Sequence, residues 1–127
     1  MIVAGLGFRR GISAEELERV LRLALDSFEV SADRLQAIAT EADKAAEPSV
    51  PELAERLSAA IVACSLSDLA GMAERIPSTS RRVIEAKGVP SIAEAAALVA
   101  AGRNGRLLGK RVATRQATCA IAIGDGT

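Results

Sequence analysis

The chain has 127 residues, half of them hydrophobic and a quarter charged, which fits one soluble domain with a real core. Sixteen Lys and Arg balance sixteen Asp and Glu, so a nucleic-acid binder, which carries a basic excess, is disfavoured. There is no His, Trp or Tyr, which removes the commonest general base and metal ligand, Ser-His-Asp and Cys-His catalysis, and most base stacking.

Met1-Ile2-Val3 runs straight into fold-like sequence without a basic leader or cleavage site, so a cytoplasmic protein is expected. Ile2 to Ala4 reads as the end of a buried strand. Gly5, Gly7 and Gly11 then read as a glycine loop, since residues without a Cβ let backbone turn sharply and approach a ligand. Ser13 is a good N-cap, and Glu16 completes a capping-box pattern with it. A helix follows from about Ala14 to Phe28, with Leu17, Val20, Leu21, Ala24, Leu25 and Phe28 on one stripe. Free N–H groups at its start, beside Arg9 and Arg10, favour an anion. A purely structural βα turn explains the same glycines. The dinucleotide pattern G-x-G-x-x-G is not met either, because Arg10 stands at its third glycine.

Leu35 to Thr40 reads as a second strand and Glu41 to Val50 as a polar loop. Pro51 to Leu57 reads as a helix with proline at its first position. Ala59 to Cys64 is a continuous apolar run, as expected of a strand covered on both faces. Ser65 or Ser67 caps a short helix through about Ala73. Pro77 to Ser80 is a break, and Ser80 starts a short helix stopped by Gly88. Ser91 and Glu94 repeat the capping-box pattern ahead of an alanine-rich helix ended by Gly102. Leu107 to Thr114 and Thr118 to Ile123 read as two closing antiparallel strands. No apolar run approaches the ~20 residues of a membrane span. Cys64 and Cys119 are too far apart for a zinc or CxxC pair and read as small buried hydrophobes. No metal site and no cofactor is expected.

Strands alternating with helices predict a single three-layer α/β/α domain over 1–127. Its sheet is mixed and mostly parallel, of about five strands, with a C-terminal antiparallel hairpin. Ligands bind beyond the carboxyl ends of such strands. The loops there carry Arg9, Arg10 and Ser13, then 40–47 with Lys44 and Glu47, then Ser65 to Asp68, and Ser78 to Arg82 can fold over the same edge. This predicts a cationic rim suited to a ligand with several carboxylates. Each residue also has a plainer reading. Surface arginines mostly solvate a face, and Lys44 and Glu47 fit an i,i+3 surface pair. Ser80 fits an N-cap better than a nucleophile, and Glu94 is the capping-box partner of Ser91. Lys110 and Arg111 either reach the rim or protect a sheet edge.

Taken together, Val3-Ala4-Gly5-Leu6-Gly7-Phe8-Arg9-Arg10-Gly11-Ile12-Ser13-Ala14-Glu15-Glu16-Leu17, Lys44-Ala45-Ala46-Glu47, Pro77-Ser78-Thr79-Ser80, Gly88 to Leu98, Leu107-Leu108-Gly109-Lys110 and Ala117 to Ala122 resemble the CobE family. That family is equivalent to the C-terminal domain of the cobalamin-biosynthesis protein CbiG. The matches come in order over nearly the whole chain. Where many relatives carry an acidic residue before the glutamate matching Glu47, this chain has Ala46. The additional N-terminal region of the longer CbiG proteins is not matched, so an activity residing there is not carried over.

The resemblance implies a role in building the corrin ring of vitamin B12, in the oxygen-dependent route. The expected ligand is a precorrin or hydrogenobyrinic acid, a large ring edged with acetate and propionate groups. Gly5, Gly7, Arg9, Arg10, Gly11, Ser13, Lys44, Arg81 and Lys110 are the expected ligand-binding residues. A rival reading is a hydrolase or ring-modifying enzyme acting on a precorrin lactone, with Glu47 as base and Lys44 or Ser80 as partner. A third is a docking partner of other cobalamin-pathway enzymes.

Overall fold

The structure, a computed structural model, describes residues 1–77 and 91–126. Six strands form one mixed sheet: β1 (Ile2–Phe8), β2 (Leu35–Glu41), β3 (Ala60–Cys64), β4 (Arg106–Leu107), β5 (Val112–Ala113) and β6 (Ala117–Ile123). The order is β3-β2-β1-β6-β4, with β5 also on β6. β1, β2 and β3 run parallel, while β6 lies antiparallel to β1, β4 and β5. Helices α1 (Ala14–Ser27) and α2 (Ser49–Leu57) cover one face. Helices α3 (Leu66–Ala70) and α4 (Ile92–Ala101) cover the other. The three-layer expectation is met, and the closing hairpin docks on β1 through its second strand.

The two faces are packed by different means. On the α1 side Leu6, Phe8, Ile38 and Ile121 meet Leu17, Leu21, Leu25 and Leu53, all buried. On the α4 side the sheet offers Ala37, Ala39, Ala120 and Ala122, and the helix answers with Ala93 and Ala97. Backbone therefore approaches backbone. A Cβ built on Gly5 would lie 1.9 Å from the Ala93 carbonyl oxygen and 2.5 Å from the Ala97 nitrogen. Gly5 and Gly7 are strand residues, and the loop starts only after Phe8. At Gly5 the missing side chain serves the helix, which corrects its reading as a ligand cradle; at Gly7 a Cβ would lie 2.8 Å from the Thr118 hydroxyl.

Three further expectations are corrected. The run ending at Cys64 is not a central strand but the outer strand β3, with Ala60, Ile61 and Ala63 exposed and only Cys64 buried. On one face Val62 and Cys64 join the α4-side core, and on the other Ile61 and Ala63 are exposed. Helix α2 begins at Ser49, so Pro51 falls within its first turn, where its missing N–H costs nothing. The predicted strand from Leu107 to Thr114 is split into β4 and β5. Between them the Phe28 ring packs against Gly109, where a Cβ would lie 2.6 Å from Cε1. There too the Arg111 N–H turns from the ladder to the Glu94 carboxylate, 3.3 Å away.

Candidate ligand-binding rim

The loops leaving β1 and β2 meet at the carboxyl edge of the parallel strands. The first turns at Gly11, whose φ of 84° suits a residue without a Cβ. It then enters α1 through Ser13, whose hydroxyl accepts from the Glu16 N–H at 3.1 Å. The second loop follows Glu41 as a series of turns. Glu47 ties the two together. Its Oε1 accepts from the Gly11 N–H at 2.8 Å, and its Oε2 lies 3.6 Å from Arg10 Nη1. Arg10 Nη2 also donates to Asp43 Oδ2 at 3.1 Å. Both side chains of that pair are more than half exposed, so it adds under ~1 kcal/mol.

Lys44 lies deeper. Its ammonium donates to the Phe8 carbonyl, sits 3.7 Å from Glu41 Oε1, and lies 5.5 Å from the centroid of the Phe8 ring. The i,i+3 pair expected between Lys44 and Glu47 is thus replaced by Lys44 with Glu41, which releases Glu47 to Arg10. Glu41 extends β2 one residue past the expected end and is buried. Arg9 is exposed, and among the described residues it is in no ion pair. The described rim therefore balances Arg9, Arg10 and Lys44 with Glu41, Asp43 and Glu47 rather than being cationic. The protein's own carboxylates sit on Arg10, on Lys44 and on the Gly11 N–H.

The remaining candidates are placed as follows. Ser13 is spent as the cap of α1. Lys110 is exposed in the segment between β4 and β5, on the far side of β6 from β1 and β2, and does not join Arg10 and Lys44. Ser80 and Arg81 lie outside the described residues. Ser65 caps α3 through the Asp68 N–H at 3.0 Å. Burial pushes the Cys64 thiol up to about 11, helped by Asp68, and burial alone drives Cys119 still higher, so neither is a ready nucleophile near neutral pH.

Glu94 is the residue that sequence reasoning misjudged most. Ser91 does cap α4, accepting from the Glu94 N–H at 3.4 Å. The Glu94 carboxylate, however, is fully buried; Oε2 accepts from the Arg111 N–H, and Oε1 has no hydrogen-bond partner among the described residues. The signal was in the neighbours: a helix apolar on every side is a buried helix, and a charge within it is buried too.

An open mixed sheet with a glycine-bearing first strand under an alanine-rich helix, and a carboxylate-clasped rim at its parallel edge, defines a small α/β domain. The chain belongs to the family described as cobalamin synthesis G C-terminus, whose model matches residues 2–122. It is similar to Protein CobE of Sinorhizobium sp., with 31% identity over 121 residues, 95% of this chain and 79% of that protein. Its fold matches the crystal structure of CobE, a protein from the cobalamin (vitamin B12) biosynthetic pathway, with a TM-score of 0.91 and 33% identity over 96% of this chain and 89% of that one. It also matches the cobalamin biosynthesis protein chiG from Agrobacterium tumefaciens, with a TM-score of 0.74 and 30% identity over 98% of this chain and 99% of that one. The chain is a cobalamin-biosynthesis protein of the CobE and CbiG C-terminal type.

Proposed function

We propose that the chain binds a polycarboxylated corrin-pathway intermediate, of the precorrin or hydrogenobyrinic acid kind, at the rim formed by the loops after β1 and β2, and holds or delivers it in the aerobic route. The observation that carries this reading is Glu47, whose carboxylate rests on the Gly11 N–H and beside Arg10. It is an internal example of the group the loop is built to hold. Exposed Arg9 and the outer N–H groups of Arg10 supply further donors for the acids of a ring. Lys44, fixed by Phe8 and Glu41, supports the loop from below.

The hydrolase reading has less support. Both Glu47 oxygens are already engaged, Oε1 by the Gly11 N–H and Oε2 beside Arg10, so neither is turned toward a substrate or its water. Co-elution of hydrogenobyrinic acid with the protein on gel filtration is the direct test of binding. Release of free corrinoid in the void-depleted fractions at micromolar protein contradicts it. Acetaldehyde from a lactone-bearing precorrin would favour the enzyme instead.

A further inference from the structure

A cleft lies beside the C-terminal half of α4, apart from the rim. Its volume is about 330 Å³, and it is lined by Arg75, Pro77, Leu98, Arg106, Leu107 and Gly109. Leu98 and Leu107 give it an apolar wall. Arg75 is held in place by its own neighbours: Nη2 donates to the Gly105 carbonyl, and Nη1 lies 3.6 Å from Met72 Sδ. Two of its five N–H groups are so engaged, leaving the others for a ligand. Arg10, Arg22, Lys44 and Arg56 each have a carboxylate partner. Among the described residues Arg75 and Arg106 have none, and no acidic residue lines the cleft.

An anchored guanidinium beside an apolar wall is the complement of a carboxylate carried on an apolar body. The volume is at the low end for a small-molecule site, so it admits one arm or edge of a large ring rather than the whole. We infer that this cleft binds such a carboxylate, and that it seats one acid-bearing edge of the corrin intermediate. The second half rests on the function proposed above; the first does not.

The test is an amide NMR titration of the full chain with hydrogenobyrinic acid and, separately, with octanoate. The readout is the shifts of Gly105, Arg106, Leu107 and Gly109, followed in the wild type, Arg75→Gln and Arg106→Gln. Both ligands are expected to move these amides, with affinity at least tenfold weaker in each variant. Arg106→Gln decides if Arg75→Gln fails to fold, since Arg106 is exposed on the sheet edge. Octanoate shifts without corrinoid shifts keep the carboxylate site and overturn its assignment to the ring. Corrinoid shifts confined to Gly11 and its neighbours overturn the cleft and leave the proposed rim standing. Equal affinity in both variants overturns the cleft, and silence with both ligands overturns cleft and rim together.

Discussion

Glu47 Oε1 accepts the Gly11 N–H at 2.8 Å across thirty-six residues of chain, and so fixes the loop after β1 against the loop after β2. Glu47→Ala leaves that N–H and Arg10 without their partner. Chemical unfolding in urea should show a loss of about 1–2 kcal/mol. Glu47→Gln keeps an oxygen for Gly11 but drops the charge facing Arg10, and should lose less than half as much. Equal losses would mean that charge, not the hydrogen bond, makes the clasp.

Gly5→Ala should be the most damaging small substitution in the sheet. The new methyl meets helix backbone, the Ala93 oxygen and the Ala97 nitrogen, which yield only if α4 moves off the sheet. A cost of about 3 kcal/mol or more is expected. Gly7→Ala meets the Thr118 hydroxyl at 2.8 Å, a side chain that rotates away, and should cost clearly less. Thermal unfolding of the two variants ranks them.

Arg56 of α2 reaches Glu15 and Glu18 of α1, each at 3.1 Å, and Glu52 at 3.3 Å. Glu18 is held below the usual carboxylate range by Arg22 first and Arg56 next; Glu15 is lowered by its backbone hydrogen bond and then by Arg56. Carboxyls lowered in this way bind fewer protons when folded than when unfolded. Their contribution is present above the ordinary carboxylate range, near pH 4, and is lost as pH falls through the lowered values. Arg56→Ala should therefore lower the melting temperature at neutral pH, and the gap to wild type should shrink near pH 3. A gap unchanged by acid would place the role of Arg56 in packing rather than charge.

Glu94→Gln retains an acceptor for the Arg111 N–H while removing a carboxylate from a fully buried site where one oxygen has no partner among the described residues. Burying a charge without full compensation is costly. The variant should melt at the same temperature as wild type or higher at neutral pH, while Glu94→Ala should melt lower because it opens a void. A marked loss in Glu94→Gln would show that the negative charge itself holds the β5 edge.

Much of the fold was legible because its signals are local. The stripe from Leu17 to Phe28, the Ser13 cap and the Gly102 stop each announce an element through a few neighbouring residues. The misreadings came from tertiary context. Ala60 to Cys64 is equally apolar at the edge or the centre of a sheet, and only the strand order decides. Gly5 is a strand residue whose missing side chain makes room for α4, some ninety residues later, while Gly7 leaves room for the Thr118 hydroxyl of β6. Nothing near Leu107 announces that Phe28 and Glu94 will break the strand there. At the site, Arg10, Gly11, Lys44 and Glu47 were foreseen as neighbours at one rim. Their pairing was not, because an ion pair between distant loops depends on the register of β1 on β2.

The most direct test follows the visible spectrum of hydrogenobyrinic acid as wild-type protein or the Arg9→Ala/Arg10→Ala variant is added. Saturable binding at micromolar protein is expected, with affinity at least tenfold weaker in the variant, about 1.4 kcal/mol. A spectrum that does not change, or one that saturates at the same concentration with both proteins, would contradict binding at the rim.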